Sequence, residues 1–299
     1  MMGVANDAML EWFTPQDANK LRSVSKVVKS DVEDRFFYDD EVTVIKDVAK
    51  WRTCFRLAKT ASLSKKEYNY QNSTAREEDL VHLRGVTTVY MRGCRLITDK
   101  GLSNLVGIHT LDMSDCPLIT DKGLDHLKGI HTLYMRGCPL ITDKGLERLK
   151  GINTLDMVNC PLITDKGLAH LKGIHDLTME GRPLITDKGL EHLKGINTLS
   201  ILRCSLSPLI TDKGLEHLKG IYDLSMSFCK PPSITGESFG YLAGVKKLLF
   251  TCCEKSVVSN ARQLLPGTEI QSKMEQPEQD SDEESEDEDE DELDEGFPW

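Results

Sequence analysis

Between Gly85 and Gly244 the chain repeats itself, and the repeat is too short to be a domain. Copies aligned on glycine begin at Gly85, Gly107, Gly129, Gly151, Gly173, Gly195, Gly220 and Gly244: five steps of 22 residues, one of 25 that contains the insertion Ser205 to Ser207, and one of 24. A unit of this size holds one supersecondary element and cannot bury its own apolar stripe, so it is stable only when stacked on its neighbours. The frame reads G-I-x-x-L-x-M-x-x-C-P-L-I-T-D-K-G-L-x-x-L-K. Leu111 and Met113 alternate with Thr110, Asp112 and Ser114, the period-two signature of a short strand with one buried face. Cys116 follows the turn out of that strand, where a small thiol is easily buried and forms a column with its equivalents. Thr120 is placed as a helix N-cap, Asp121 at the positive end of the helix, and Ile119 to pack on Leu124. Leu124 and Leu127 turn one face of a short helix inward, and Lys128 with Gly129 ends it. The succession predicts an α/β class: a right-handed solenoid whose strands form one parallel sheet on the concave side.

Capping accounts for each residue of the recurring Thr-Asp-Lys-Gly-Leu, so no catalytic role is assigned to it. There is no nucleophile elbow, phosphate-binding loop or helical HExxH, and the chain is read as a non-enzyme with no cofactor. His170, His192 and His217 share one repeat phase and His109, His131 and His175 another, but neither series has the close clustering of a zinc site, and no metal is expected. Cys94, Cys116, Cys138 and Cys160 recur every 22 residues, which marks a repeat position rather than a disulfide framework; the nine cysteines are expected to be thiols. Arg182 takes the cysteine position in one copy.

If the frame is structural, recognition belongs to the positions where copies differ on the exposed strand face. One column reads Tyr90, Asp112, Tyr134, Asp156, Thr178, Ser200, Ser225, and the next reads Arg92, Ser114, Arg136, Val158, Glu180, Leu202, Ser227. With strands about 4.8 Å apart, Tyr90, Arg92, Asp112, Tyr134, Arg136 and Asp156 form one patch. Tyrosine and arginine dominate binding hot spots, which makes the patch a candidate partner-binding surface. Duplication of a two-repeat block would leave the same alternation on a merely solvated face.

Residues 85–270 resemble the cysteine-containing leucine-rich repeat, whose L-x-x-L-x-L-x-x-C frame they match position by position. The resemblance implies a horseshoe that recognises proteins. Residues 1–50 differ in kind: Leu10 and Phe13 precede a Thr14-Pro15 helix start, and Leu21, Val24, Val28 and Val32 follow at helical spacing. Phe13 to Asp17 and Leu21 to Lys26 resemble the F-box pattern, without that family's opening Leu-Pro. That resemblance implies the substrate receptor of a cullin-type (SCF) ubiquitin ligase. Leu10, Phe13, Pro15, Leu21 and Val24 would face the adaptor subunit, and the repeats would hold an unknown substrate protein. A helical cap that only shields the first coil is the alternative for this segment. Residues 51–84, with Trp51, Phe55 and Leu57, read as a degenerate capping repeat. An F-box joined to near-identical repeats also resembles proteins encoded by large DNA viruses of protists.

Residues 271–299 form an acidic tail. Residues 275–299 hold 15 of the 48 acids and none of the 37 bases, which leaves 33 acids against 37 bases, so the formal charge of −11 belongs to the tail. Such a segment buries nothing and is expected to be disordered. Ser281 and Ser285 each have an acid three residues on, Glu284 and Glu288, and are candidate phosphorylation sites. An acidic tail either solubilises or clamps basic proteins such as histones, and in this respect the chain resembles acidic leucine-rich nuclear phosphoproteins. The alternatives to a ligase receptor are therefore an acidic-tailed binder of basic proteins and a scaffold with no ligase link. With no secretory leader and no apolar run of about 18 residues, the chain is expected to be intracellular, cytoplasmic or nuclear. It is expected to be a monomer that contacts neither membrane nor nucleic acid.

Overall fold

The computed structural model describes residues 48–49, 52, 58–64, 75–180, 184–204 and 209–273. Their centre is a ten-stranded sheet: β1 (Thr60–Ser62), β2 (Thr88–Tyr90), β3 (Thr110–Asp112), β4 (Thr132–Tyr134), β5 (Thr154–Asp156), β6 (Asp176–Glu180), β7 (Thr198–Leu202), β8 (Asp223–Ser227), β9 (Lys247–Thr251) and β10 (Glu269–Lys273). All pairings are parallel, and strand order equals chain order. Each strand is therefore one coil of a right-handed solenoid, and the short helices between strands form the opposite side. The register is the repeat itself: Leu111 lies beside Leu133, and Leu133 beside Leu155.

The expected alternation is present in each coil. Leu111, Met113 and Cys116 are fully buried, Ile119, Leu124 and Leu127 meet them from the helical side, and Thr110 and Asp112 stay half-exposed. Each cysteine does more than fill space. Cys116 Sγ donates to the Met91 carbonyl of the preceding coil at 3.4 Å, Cys138 to Met113 at 3.3 Å and Cys160 to Met135 at 3.2 Å. The weak thiol donor thus satisfies a buried carbonyl just past the strand. Burial, followed by the neighbouring Cys160, pushes the Cys138 thiol up to about 12. Only about one thiol in ten thousand is then ionised at pH 8, and the thiolate is the nucleophile. Iodoacetamide on the native protein should alkylate half-exposed Cys252 at least about a hundredfold faster than Cys138. Peptide mass spectrometry of a time course checks this, and equal rates would contradict it.

The helical side carries a link that the repeat frame did not disclose. Thr120 caps its helix by accepting the Lys122 N–H at 3.3 Å. Its own N–H and hydroxyl donate to the Asp99 carboxylate of the preceding coil, at 2.7 and 2.6 Å. The same two bonds join Asp121 to Thr142, Asp143 to Thr164, Asp165 to Thr186 and Asp187 to Thr211. Asp121 therefore acts as a two-pronged clamp on the next coil as well as standing at a helix start. The series opens with Glu77, which accepts from the Thr98 hydroxyl, and closes with Asp212, which accepts from Thr235. Gly123 marks a close approach of two coils: a Cβ there would lie 2.6 Å from Asp99 Oδ1 and 2.9 Å from Leu102 Cδ1.

The ends of the array differ from its middle. Arg52 donates to the carbonyls of Ala58 and Arg84, at 3.1 and 2.8 Å, across the first coil. At the far end a ten-residue helix, Lys255–Leu264, packs on the Glu237–Leu242 turn and buries Val257, Val258 and Ala261. β1 and β10 are the edge strands, and β10 is mostly exposed and ends in Lys273, which suits a strand that must not recruit another. Leu10, Phe13, Pro15, Leu21, Val24, Arg182, Ser281 and Ser285 lie outside the described residues.

Candidate functional site

The sheet's register sets the row proposed from the sequence. Tyr90 lies beside Asp112, Asp112 beside Tyr134, Tyr134 beside Asp156, and Asp156 beside Thr178, all half-buried on the concave face. The second column departs from expectation. Arg92 and Arg136 are half-exposed, but Ser114, Val158, Glu180 and Ser227 are buried. Arginine side chains bend along the face instead of standing out from it. Arg92 Nε meets Asp115 Oδ2 at 3.1 Å, Arg136 Nη2 meets Asp156 Oδ2 at 3.3 Å, and Arg203 Nη1 meets Glu180 Oε1 at 3.0 Å. Alternation predicts which way a strand residue points, but not what a long neighbour lays over it.

A third column, absent from the sequence reading, edges the face. Gly93, Asp115, Gly137, Asn159, Arg203, Phe228 and Cys252 all hold positive φ, between 51° and 70°. Glycine, aspartate and asparagine tolerate this left-handed turn, and their succession in the first four copies is the signal that could have revealed it. At Gly137 space is also required, since a Cβ would lie 2.4 Å from Asp115 Oδ1.

The two aspartates of the row share one local role. Asp112 Oδ1 accepts the Ser114 N–H at 3.0 Å, and Asp156 Oδ1 accepts the Val158 N–H at 3.1 Å. They differ at the other oxygen. Asp156 Oδ2 is paired with Arg136, whereas Asp112 Oδ2 has no hydrogen bond or ion pair among the described residues. The hydroxyls of Tyr90 and Tyr134 likewise have no hydrogen-bond partner among the described residues. Burial raises the Tyr134 phenol above its ordinary range, and Tyr90 and the carboxylates of Asp112, Asp156 and Asp176 add to the effect. This half of the face therefore sets Asp112, Asp115, Asp156 and Asp176 against Arg92 and Arg136. The face is thus a mixed aromatic and charged surface with more acids than bases.

One histidine column begins with a stacked pair, and its third member, His175, turns its Nδ1 to Asp176 at 3.0 Å. His109 and His131 stack with ring centroids 4.6 Å apart and planes 13° apart, each with Nδ1 3.2 Å from the next threonine hydroxyl. No group of three or more His, Cys, Asp or Glu among the described residues is placed to hold a metal ion. No helix among the described residues is long and apolar enough to cross a membrane.

One parallel strand and one short helix per coil, with a buried leucine, methionine and cysteine at fixed phase, define a leucine-rich-repeat solenoid. A profile of the leucine-rich repeat matches residues 108–128. No curated protein sequence matches the chain. Among solved structures the chain is similar to the Toll-like receptor of a TLR13–ssRNA13 complex, at TM-score 0.54 and 14% identity over 75% of this chain, and spans only 34% of that one. It is also similar to internalin C2 of Listeria monocytogenes, at TM-score 0.50 and 23% identity over 68% of this chain and 87% of that one. A third similarity, at TM-score 0.48 and 16% identity, is to the yeast Rad7 and Elc1 complex, over 88% of this chain and 84% of that one.

Proposed function

We propose that this chain is a protein-recognition module that takes its partner on the N-terminal half of the concave face, and that it is the substrate receptor of a cullin-type (SCF) ubiquitin ligase. The carrying observation is the row Tyr90, Asp112, Tyr134, Asp156, with Arg92 and Arg136 beside it. The coils are otherwise near-copies, so partner-specific information sits where they differ. Two tyrosines whose hydroxyls, and an aspartate one of whose oxygens, have no partner among the described residues are polar handles on an aromatic surface, a composition typical of interface centres. The ligase half of the proposal rests on the F-box-like residues Leu10, Phe13, Pro15, Leu21 and Val24, which would hold the adaptor subunit.

The test is a pull-down of purified adaptor subunit by the full chain, wild type against a Leu10→Asp, Phe13→Asp double variant. Retention by the wild type, reduced at least about tenfold by two charges in an apolar contact, is the expected result. No retention by either form overturns the ligase reading and reduces residues 1–50 to a cap.

The tail favours a second reading, because residues 275–299 hold 15 acids and no base. In that reading the chain clamps a basic protein, phosphorylation of Ser281 and Ser285 tightens the grip, and binding falls steeply with salt. Deleting residues 275–299 would then abolish binding that the N-terminal double variant leaves intact.

A further inference from the structure

We infer that the gap between Tyr90 and Tyr134, floored by Asp112, is a slot for one arginine side chain of a protein partner. The inference rests on the concave face being the recognition surface. Tyr90 and Tyr134 stand on strands two apart, so their Cβ atoms are separated by about 10 Å. A cation midway lies about 5 Å from each ring, inside the range over which an aromatic face attracts a positive charge. Asp112 lies between the two tyrosines in register, and its Oδ2 is unengaged among the described residues.

The chain supplies its own precedent one gap along. Beside Asp156 the equivalent place is taken by the guanidinium of Arg136, at 3.3 Å. What separates the two gaps is the left-handed column at the edge of the face. Arg92 finds a carboxylate there, Asp115, and turns toward it at 3.1 Å. The corresponding residue for Arg136 is Asn159, which carries no charge, so Arg136 turns back to Asp156. One aspartate of the row is thereby neutralised from within, and the other is left for an outside cation. The second gap also lacks its far aromatic wall, because Thr178 stands where a third tyrosine would be. Arginine suits the open slot better than lysine, since a planar guanidinium fits between two ring faces and donates to a carboxylate along its edge.

The test uses the full chain with ring-labelled tyrosines, observed by NMR. The ligand is a short glycine–serine peptide with a single central arginine, compared with the same peptide carrying citrulline, which has the shape without the charge. The expected result is saturable shifts confined to the Tyr90 and Tyr134 rings, with citrulline binding at least about tenfold more weakly. Asp112→Asn keeps an oxygen for the Ser114 N–H and removes the charge, and should weaken arginine binding by about tenfold at unchanged thermal stability. Equal shifts from both peptides, an indifferent Asp112→Asn, or shifts at Tyr222 and Tyr241 instead would overturn the slot. A lysine peptide that binds as tightly as the arginine peptide would overturn the choice of arginine. The Leu10→Asp, Phe13→Asp variant should bind the peptide normally. Absent adaptor capture by the wild-type chain with retained peptide binding therefore removes the ligase reading alone, and absent peptide binding with wild-type adaptor capture intact removes the slot alone.

Discussion

Gly145→Ala is expected to lower the unfolding free energy by about 3 kcal/mol, although alanine is the better helix former by about 1 kcal/mol. The reason lies in the preceding coil and in the turn that leads into the helix. A Cβ on Gly145 would stand 2.5 Å from Asp121 Oδ1, 2.9 Å from Leu124 Cδ1 and 3.0 Å from Ile141 Cγ2. The carboxylate could swing aside, but it is held by the Thr142 N–H at 2.8 Å and the Thr142 hydroxyl at 2.6 Å. Hydrogen bonds to a charged group contribute about 1.5–3 kcal/mol each, and opening a packed core costs about 1–3 kcal/mol. Whichever gives way, the loss exceeds the propensity gain. Gly240→Ala is the matching control. No atom lies within 4 Å of a Cβ at Gly240, and its φ is not positive, so that substitution should be neutral or slightly stabilising. Urea midpoints of the two variants decide the matter; an unchanged Gly145→Ala would remove the close-approach argument.

Strands, buried face, cysteine column and stacking were legible in the sequence because each rests on a local period, and the period is written several times. The clamp was not, because a bond from Asp121 to Thr142 joins residues 21 apart and leaves no mark on either neighbourhood. A sign was nonetheless present. A glycine inside each of the six Asp-Lys-Gly-Leu helices costs about 1 kcal/mol each time against alanine, and its return demands a reason such as close approach. The left-handed column was readable in Gly93, Asp115, Gly137 and Asn159, but not in Arg203, Phe228 and Cys252, whose residue types give no hint of positive φ. The row of candidate binding residues followed from register alone. Which of its carboxylates stays unpaired did not, because that depends on Arg92 choosing between Asp112 and Asp115 while Arg136 faces Asp156 and Asn159.

Phe239→Ala should cost about 3–5 kcal/mol, and the loss should be confined to the C-terminal coils. Phe239 stands at the phase that leucine fills elsewhere, and Phe250 pairs in register with Met226. Both rings are fully buried, with centroids 5.8 Å apart. This coil lacks a carboxylate clamp of its own, since Gly236 occupies the aspartate position and the series ends at Asp212. It is joined to the terminal helix by packing and by one hydrogen bond, from Asn260 Nδ2 to the Thr235 carbonyl at 2.9 Å, and the aromatic pair fills the core of this coil. Each coil of a solenoid touches only its neighbours, so destabilisation at one end need not reach the other. Hydrogen exchange on the full chain should show β9, β10 and the Lys255–Leu264 helix losing protection while β3 to β5 keep it. Equal loss along the whole array would mean a single cooperative unit and would contradict the local account. Tyr90, Asp112 and Tyr134 lie in or beside the coils expected to stay protected, so arginine-peptide binding should survive this substitution even as overall stability falls, separating the surface that recognises from the packing that holds it in place.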